Sequence, residues 1–198
     1  MTPVTLAFDT AQPWVDAALI DAGGRAHVRI VEMARGQAEA LVPTLEQLLA
    51  DHGLGWADLQ AIGVGTGPGN FTGIRISVAA ARGLAMALKI PAIGISAFES
   101  AGLPEAPCWI AVEAPRDQVY LQYTGDAPPP ARLAARSELA GLEEPVRYLR
   151  DVAPERRIEN IARLAAERSL TTSARPAPLY IRPADAAPPR HPAPVILT

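Results

Sequence analysis

The segment from residue 61 to residue 95 constrains the fold of this chain most strongly. It contains a short apolar run over 61–64, a glycine-rich loop over 65–73, a helical pattern over 72–88 and a second apolar run over 92–95. Apolar residues that recur every three or four positions predict the helix. A strand, a helix and a strand in succession predict a parallel crossover, because parallel neighbours cannot be joined by a tight turn. The fold is therefore predicted to be α/β with a mixed sheet.

The residues before this unit predict antiparallel strands followed by a helix. Three apolar or alternating runs are separated by turn signals, and they lie over 4–8, 14–21 and 26–32. Helical spacing then extends over 37–52, with Leu41, Leu45 and Leu48 on one stripe. These segments complete a predicted first domain over residues 1–103.

The second half is predicted to form a smaller domain over residues 104–182. Two strands over 109–112 and 118–123 are joined by a turn, and a triple proline at 128–130 breaks the pattern. A charged stretch over 158–168 is predicted to be a surface helix. The residues from 183 to 198 are rich in proline and predict an extended tail.

The composition narrows the classes of function. Hydrophobic residues make up 49% of the 198 residues and charged residues 20%, which is typical of a globular chain. The net charge of −3 does not guarantee a basic face, so another subunit would carry most phosphate contacts if nucleic acid is involved. With a single cysteine, Cys108, no internal disulfide is possible. Without a signal peptide or an apolar run of about 18 residues, a cytoplasmic protein with no membrane span is expected.

The glycine-rich loop is the strongest local candidate for a binding site. Glycines before a helix let backbone N–H groups approach an anion closely. Its sequence is neither a P-loop nor a dinucleotide-binding fingerprint, and a tight structural turn explains it equally well. The candidate phosphate ligands are the loop residues together with the acidic turn after the first strand: Asp9, Thr10, Gly67, Gly69, Thr72 and Gly73.

Metal chemistry is not indicated by the sequence. The histidines are His27, His52 and His191, and none is paired in the sequence with another histidine or cysteine at ligand spacing. Cys108 in a predicted strand is interpreted as a buried apolar residue rather than a nucleophile.

The two predicted helices of the first domain also suit association with another helix. The second one is rich in alanine and glycine, which permits close approach. The alternative is that both helices simply cover their own sheet. The candidate contact residues are Leu41, Leu45, Leu48, Ala79, Ala80, Gly83 and Ala87.

These segments together resemble the TsaB (YeaZ) family. The most specific match is GPGNFTGIRI at residues 67–76, followed by ARGLA at 81–85. LAFDTA at residues 6–11, AVEAPRDQVY at 111–120 and PLYIR at 178–182 support it. The match is dense over residues 4–103 and patchy beyond.

The resemblance implies an actin/Hsp70-like (ribonuclease H-like) architecture of two related domains, with flanking helices and a reduced second domain. It also implies a non-catalytic subunit that docks on TsaD and works with the ATPase TsaE. Their complex transfers threonylcarbamoyl from threonylcarbamoyl-AMP to N6 of the adenosine next to the tRNA anticodon. ATP and ADP are then used by the complex, no cofactor is assigned to this subunit, and a homodimer is expected in isolation.

The resemblance also explains where the chemistry would lie. The catalytic paralogue has a His-x-Glu-Gly-His metal motif, and its two histidines correspond here to Ala97 and Ala101, with only Glu99 retained. At Gln37 the family often has histidine, so no role is transferred to that position. The alternatives are a stand-alone actin-like ATPase or sugar kinase, which would need a second phosphate loop, and a peptidase, which the missing histidines disfavour.

Overall fold

The computed structural model describes residues 2–102, 104–172 and 174–181. A five-stranded sheet has the order β3-β2-β1-β4-β5. Its strands are β1 (Thr5–Asp9), β2 (Trp14–Ile20), β3 (Ala26–Glu32), β4 (Ala61–Gly65) and β5 (Ala92–Ile95). The first three strands pair antiparallel, and β4 runs parallel to both β1 and β5. The predicted meander and parallel crossover are both confirmed.

Two helices cover one face of this sheet, α1 (Gln37–Asp51) and α2 (Phe71–Leu88). The apolar stripe of α1 points into the core, where Leu41, Leu45 and Leu48 are at most 2% exposed and pack with the sheet. Their prediction as partner contacts therefore needs correction, because buried side chains offer no surface to a second protein. The alternative, that α1 covers its own sheet, describes these three residues.

The opposite face is covered by α4 (Pro154–Arg168), which comes from the second half of the chain. Ile158, Ile161 and Ala165 are buried against the sheet. A side-chain carbon on Gly63 in β4 would overlap the Ala165 methyl group, so glycine permits this close packing. The helix predicted over 158–168 is present, but its description as a surface helix needs correction, since six of the fifteen residues of α4 are buried. The helix also crosses the predicted boundary at residue 103 to complete the first sheet.

A smaller mixed sheet follows, with the order β8-β7-β6-β9. Its strands are β6 (Trp109–Ala114), β7 (Gln118–Tyr123), β8 (Arg132–Ala135) and β9 (Val146–Tyr148). The short helix α3 (Ala97–Ser100) links the two sheets and packs Phe98 against Ile110 and Leu149. This sheet has four strands against five in the first, and α4 packs on the first sheet rather than on this one.

The last described segment, residues 174–181, returns to the first sheet. The backbone N–H of Leu179 donates to the carbonyl oxygen of Thr66 at 2.8 Å, and Pro176 is buried beside Gly94. The segment therefore lies across the beginning of the glycine-rich loop. The predicted proline-rich tail, residues 183–198, lies outside the described residues.

By length and composition alone, α2 could cross a membrane, because its 18 residues have a mean hydropathy of 1.3. α2 contains Arg75 and Arg82 and is not an uninterrupted apolar run, so the expectation of no membrane span stays a prediction. A soluble core helix passes the same test, and here Ile74, Val78 and Ala81 pack on the sheet. Most of the remaining helix surface is exposed.

Candidate functional site

A cleft of about 480 Å³ lies where the glycine-rich loop faces the second sheet. Thr10, Gly69, Thr72 and Gly73 line it, as does Tyr120 from β7. The structure thus brings together four of the six residues predicted to bind phosphate. Asp9 and Gly67 lie behind this surface rather than in it.

The loop owes its shape to contacts with the turn after β1. Asn70 caps α2, because its side-chain oxygen accepts the Gly73 N–H at 2.9 Å. The Thr10 hydroxyl donates to the Gly73 carbonyl oxygen at 2.7 Å. Any side-chain carbon on Gly73 would overlap the Thr10 carbonyl oxygen. Glycine at this position therefore serves close backbone packing.

Asp9 holds the turn that forms the floor of the cleft. Its carboxylate accepts the Ala11 N–H at 2.8 Å and lies directly over Gly65, where any side chain would collide with it. Burial raises the pKa of Asp9, although backbone hydrogen bonds from Ala11 and Thr10 and the charge of Arg157 oppose the shift. The carboxylate is thus engaged in holding local structure.

The cleft has little positive charge for a polyphosphate. Among its described lining residues, Arg35 is the only lysine or arginine, and Glu113 contributes a carboxylate. Glu113 is itself paired with Arg136 and Arg150. Gln37, at the start of α1, also lines the cleft. One cation among the described lining residues offers little to balance the charge of a nucleoside triphosphate.

The residues corresponding to the paralogue's metal motif lie on α3 and just after it. Ala97 is 9% exposed and Ala101 is 1% exposed, and both pack in the apolar cluster below the second sheet. Glu99 instead accepts the Ser96 N–H at 2.8 Å and pairs with Arg168 of α4 at 2.6 Å. Burial raises the pKa of Glu99, but these hydrogen bonds outweigh it and lower the pKa overall.

The described ranges contain no group of three or more histidine, cysteine, aspartate or glutamate side chains placed to hold a metal ion. Glu99 is therefore a structural carboxylate that caps α3 and ties it to α4.

The exposed face of α2 offers most of the predicted partner contacts. Ala79, Gly83 and Ala87 are exposed, and a side chain built on Gly83 would meet open space. Ala80 is half-buried against the core. Sequence reasoning missed Met86, which is 81% exposed on the same face; an isolated methionine in an alanine-rich helix gave no signal. The face is apolar and its residues are available for contact.

Sequence reasoning also missed a buried polar cluster behind the cleft. Asp16 of β2 is 4% exposed and Arg157 of α4 is 8% exposed. One Asp16 oxygen, the Arg157 Nε and the indole nitrogen of Trp14 have no hydrogen-bond partner within the described part of the chain. The only sequence signal was a charged residue inside an otherwise apolar strand.

Comparison with known proteins relates this chain to tRNA-modifying proteins. The family model described as TsaD, tRNA N6-adenosine threonylcarbamoyltransferase, matches residues 31–127, just under half of the chain. The tRNA threonylcarbamoyladenosine biosynthesis protein TsaB of Haemophilus influenzae is 37% identical over 92 residues, covering 46% of this chain and 38% of that protein. An uncharacterized protein of Mycobacterium tuberculosis is 38% identical over 122 residues, covering 58% of this chain and 56% of that protein.

The fold is shared more widely than the sequence. A crystal structure of an uncharacterized protein from Pseudomonas aeruginosa, described as similar to the peptidase YeaZ, superposes with a TM-score of 0.71. It is 19% identical, and the alignment covers 91% of this chain and all of that one. The matched region spans between about two fifths and just over half of the curated relatives' length.

These findings define the class first: an α/β protein with two mixed sheets and flanking helices, which shares its fold with the Pseudomonas aeruginosa structure and resembles the threonylcarbamoyltransferase TsaD over residues 31–127. Within that class the chain is a homologue of TsaB, as the signature over 67–76 indicated.

Proposed function

We propose that this protein is the non-catalytic subunit of a complex that transfers threonylcarbamoyl from threonylcarbamoyl-AMP to N6 of the adenosine next to the tRNA anticodon. The observation that carries the proposal is the homology to TsaB over 92 residues, together with the TsaD family match over residues 31–127, a range that contains the glycine-rich loop and α2. The name of the Haemophilus influenzae TsaB gives its pathway and not its chemical role. The non-catalytic role proposed here is therefore argued from the residues of this chain.

Two features support a docking role rather than catalysis. Methyl groups, which cannot ligate a metal, occupy both positions where the paralogue carries metal-binding histidines, and both are buried in an apolar cluster. The described cleft also carries only one cationic lining residue, Arg35, so tight polyphosphate binding by this subunit is not favoured. ATP and ADP would accordingly be used elsewhere in the complex, and no cofactor is assigned here.

The partner surface in this proposal is the exposed face of α2. Small residues at Ala79, Gly83 and Ala87 let a helix of TsaD approach closely, while Met86 of α2 and Val42 of α1, both exposed, add apolar area. Because the paralogues share a fold, the same face would support a homodimer when TsaD is absent. TsaE and tRNA would join the assembled complex, in the cytoplasm.

Reconstitution tests the proposal directly. The purified protein is incubated with unmodified tRNA and threonylcarbamoyl-AMP, either alone or with TsaD and TsaE from the same genome, and the nucleosides are analysed by mass spectrometry. Modified adenosine is expected only when this protein and TsaD are both present. Modification by this protein alone would contradict the non-catalytic role. No modification with all components, while the Haemophilus influenzae TsaB supports it with its own partners, would refute the function.

A further inference from the structure

An acid-free segment gives α2 a cationic row on its exposed side. Residues 59–98 contain no aspartate or glutamate, although the whole chain has a net charge of −3. Arg75 and Arg82 of α2 and Lys89 just beyond it are all exposed. They follow one another at seven-residue intervals, which places them on one side of the helix at spacings of roughly 10 Å. None of the three takes part in an ion pair within the described residues.

An aromatic stack stands at the beginning of this row. Phe71, 46% exposed, and Tyr180, 49% exposed, lie with their ring centroids 5.5 Å apart. The Arg75 guanidinium lies 3.8 Å from the centre of the Phe71 ring, and its Nε donates to the Tyr180 hydroxyl at 2.9 Å. The two rings and the guanidinium therefore form one aromatic and cationic surface that is open to solvent.

The stack is also held in place before any ligand arrives. The neighbouring Leu179 is bonded to Thr66 through its backbone, and this bond fixes the segment that carries Tyr180 over the start of the loop. Arg75 joins the two rings into one surface. A pre-ordered surface loses little conformational entropy when it binds a ligand.

We propose that this surface, which we call the α2 cationic row (Phe71, Arg75, Arg82, Lys89 and Tyr180), binds single-stranded RNA, with an unpaired base stacked on the aromatic rings and phosphates along the cations. Sequence-tolerant binding of single strands combines just these two elements, a positively charged track and aromatic faces. Unpaired loop bases are available for stacking, whereas paired ones are not. The inference deepens the proposed function by naming where the RNA substrate meets this subunit.

The row lies beside the stripe of Ala79, Gly83 and Ala87 proposed to meet TsaD, with Met86 between the two. Each residue advances the helix by about 100°, so the line through Arg75 and Arg82 lies roughly 100° from the stripe centred on Gly83. The stripe of Ala79, Gly83 and Ala87 is called the alanine stripe. A protein partner bound there leaves the three cations at the margin of the contact. RNA bound to the complex would pass along that margin.

The proposal is tested by binding full-length protein to a synthetic RNA stem-loop with an unpaired loop. Binding is followed by fluorescence anisotropy over a series of potassium chloride concentrations. A fully paired RNA of equal length is the comparison ligand. The test variant is Arg75→Ala/Arg82→Ala/Lys89→Ala. A matched control, Arg25→Ala/Arg132→Ala/Arg156→Ala, removes the same charge from exposed arginines elsewhere. Circular dichroism verifies the fold of each variant.

We expect the wild type to prefer the stem-loop, with a slope of log affinity against log salt of about −2 for three phosphate contacts on a single strand. The test variant should lose that slope, while the control should keep most of it. Tyr180→Ala should weaken stem-loop binding roughly tenfold and Tyr180→Phe much less, because stacking needs the ring.

Three results would overturn the proposal: equal binding by the test variant and wild type, equal losses in test and control variants, or loss of TsaD pull-down with RNA binding intact. The last would mean that the row docks on an acidic protein surface. A failure of the proposed function can be told apart from a failure of this inference. In that case the wild-type protein supports no tRNA modification, whatever its affinity for RNA.

Discussion

Asp9 and Asp16 stand directly opposite each other across the antiparallel β1–β2 pair. Their side chains share one face of the sheet. The positive charge of the buried Arg157 of α4 opposes the rise in the pKa of both carboxyl groups. Burial, together with the charge of Asp9, nevertheless raises the pKa of Asp16 to about 7. Two carboxylates in one buried site do not readily ionise together, so the pair retains a proton well above the usual range.

This pairing predicts a pH-dependent stability that Asp16→Asn removes. The folded state binds the Asp16 proton more tightly than the unfolded state, so the free energy of unfolding should fall as pH rises from about 4 to about 7 and then level off. Asparagine cannot ionise and should escape this loss, which is at most about 4 kcal/mol. Urea unfolding across that range measures both proteins. Parallel pH profiles for wild type and variant would contradict the prediction.

Two glycines of α2 should respond in opposite ways to alanine. Gly73→Ala places a carbon against the Thr10 carbonyl oxygen and should destabilise the protein by more than about 2 kcal/mol. Gly83→Ala meets open space in mid-helix and should be neutral or stabilising by up to about 1 kcal/mol. Thermal and urea unfolding of both variants provide the comparison, and equal effects would show that the loop tolerates movement.

Gly69→Val belongs to the same architectural interpretation of the loop. A side chain there would already touch the Ala11 methyl and carbonyl groups at 3.0–3.2 Å, and branching adds to the crowding. We expect reduced stability. Calorimetric titration of wild type with ATP tests the phosphate-binding alternative: a micromolar dissociation constant that Gly69→Val abolishes without unfolding would favour that alternative.

Gly83→Arg should separate partner binding from folding. The glycine has no neighbour within reach of a side chain, so the monomer should fold with unchanged stability. A charge buried without a partner in a helix contact costs several kcal/mol, which is enough to break it. We expect loss of both TsaD pull-down and self-association by light scattering. Arg82→Ala, next to it but off the alanine stripe, is the control, and retained TsaD binding by folded Gly83→Arg would place the contact elsewhere.

Shortening a buried side chain of α4 should destabilise the first sheet, although the helix is distant from that sheet in sequence. Ile158 is fully buried beneath that sheet, and Ile158→Ala should cost about 2–5 kcal/mol. Glu167→Ala, on the exposed side of the same helix, should change stability by less than about 0.5 kcal/mol. Hydrogen exchange of β1 and β4 amides would locate the effect. A loss confined to the second sheet would contradict this assignment.

The first domain was predictable because its signals are local. Alternation in β3, helical spacing in α1 and the strand–loop–helix order around α2 each lie within one segment, and all three appear in the structure. The placement of α4 was not predictable, because its charged residues dominate the sequence while small buried ones such as Ala162 and Ala165 give a weak apolar pattern.

Part of the candidate site was also predictable from the sequence, and part was not. The loop at residues 67–73 and the turn at Thr10 were predicted as possible phosphate ligands from the loop glycines and from their positions after strands, and the structure places most of them along one cleft. Exposure was not predictable: Leu45 and Met86 are both apolar residues on helices, yet one is fully buried and the other mostly exposed. Only the arrangement of helices on the sheet decides which apolar residue remains at the surface.

The return of α4 to the first sheet has a consequence for biosynthesis. When β5 has left the ribosome, the sheet can form with α1 and α2 on one side, but the other side still presents Ala7, Ala18, Ile93 and Ile95 to water. That side is covered only after the whole second sheet and residues 154–168 have been made. Chains that stall before then would carry an exposed apolar face, the kind of surface that chaperones bind and that promotes aggregation.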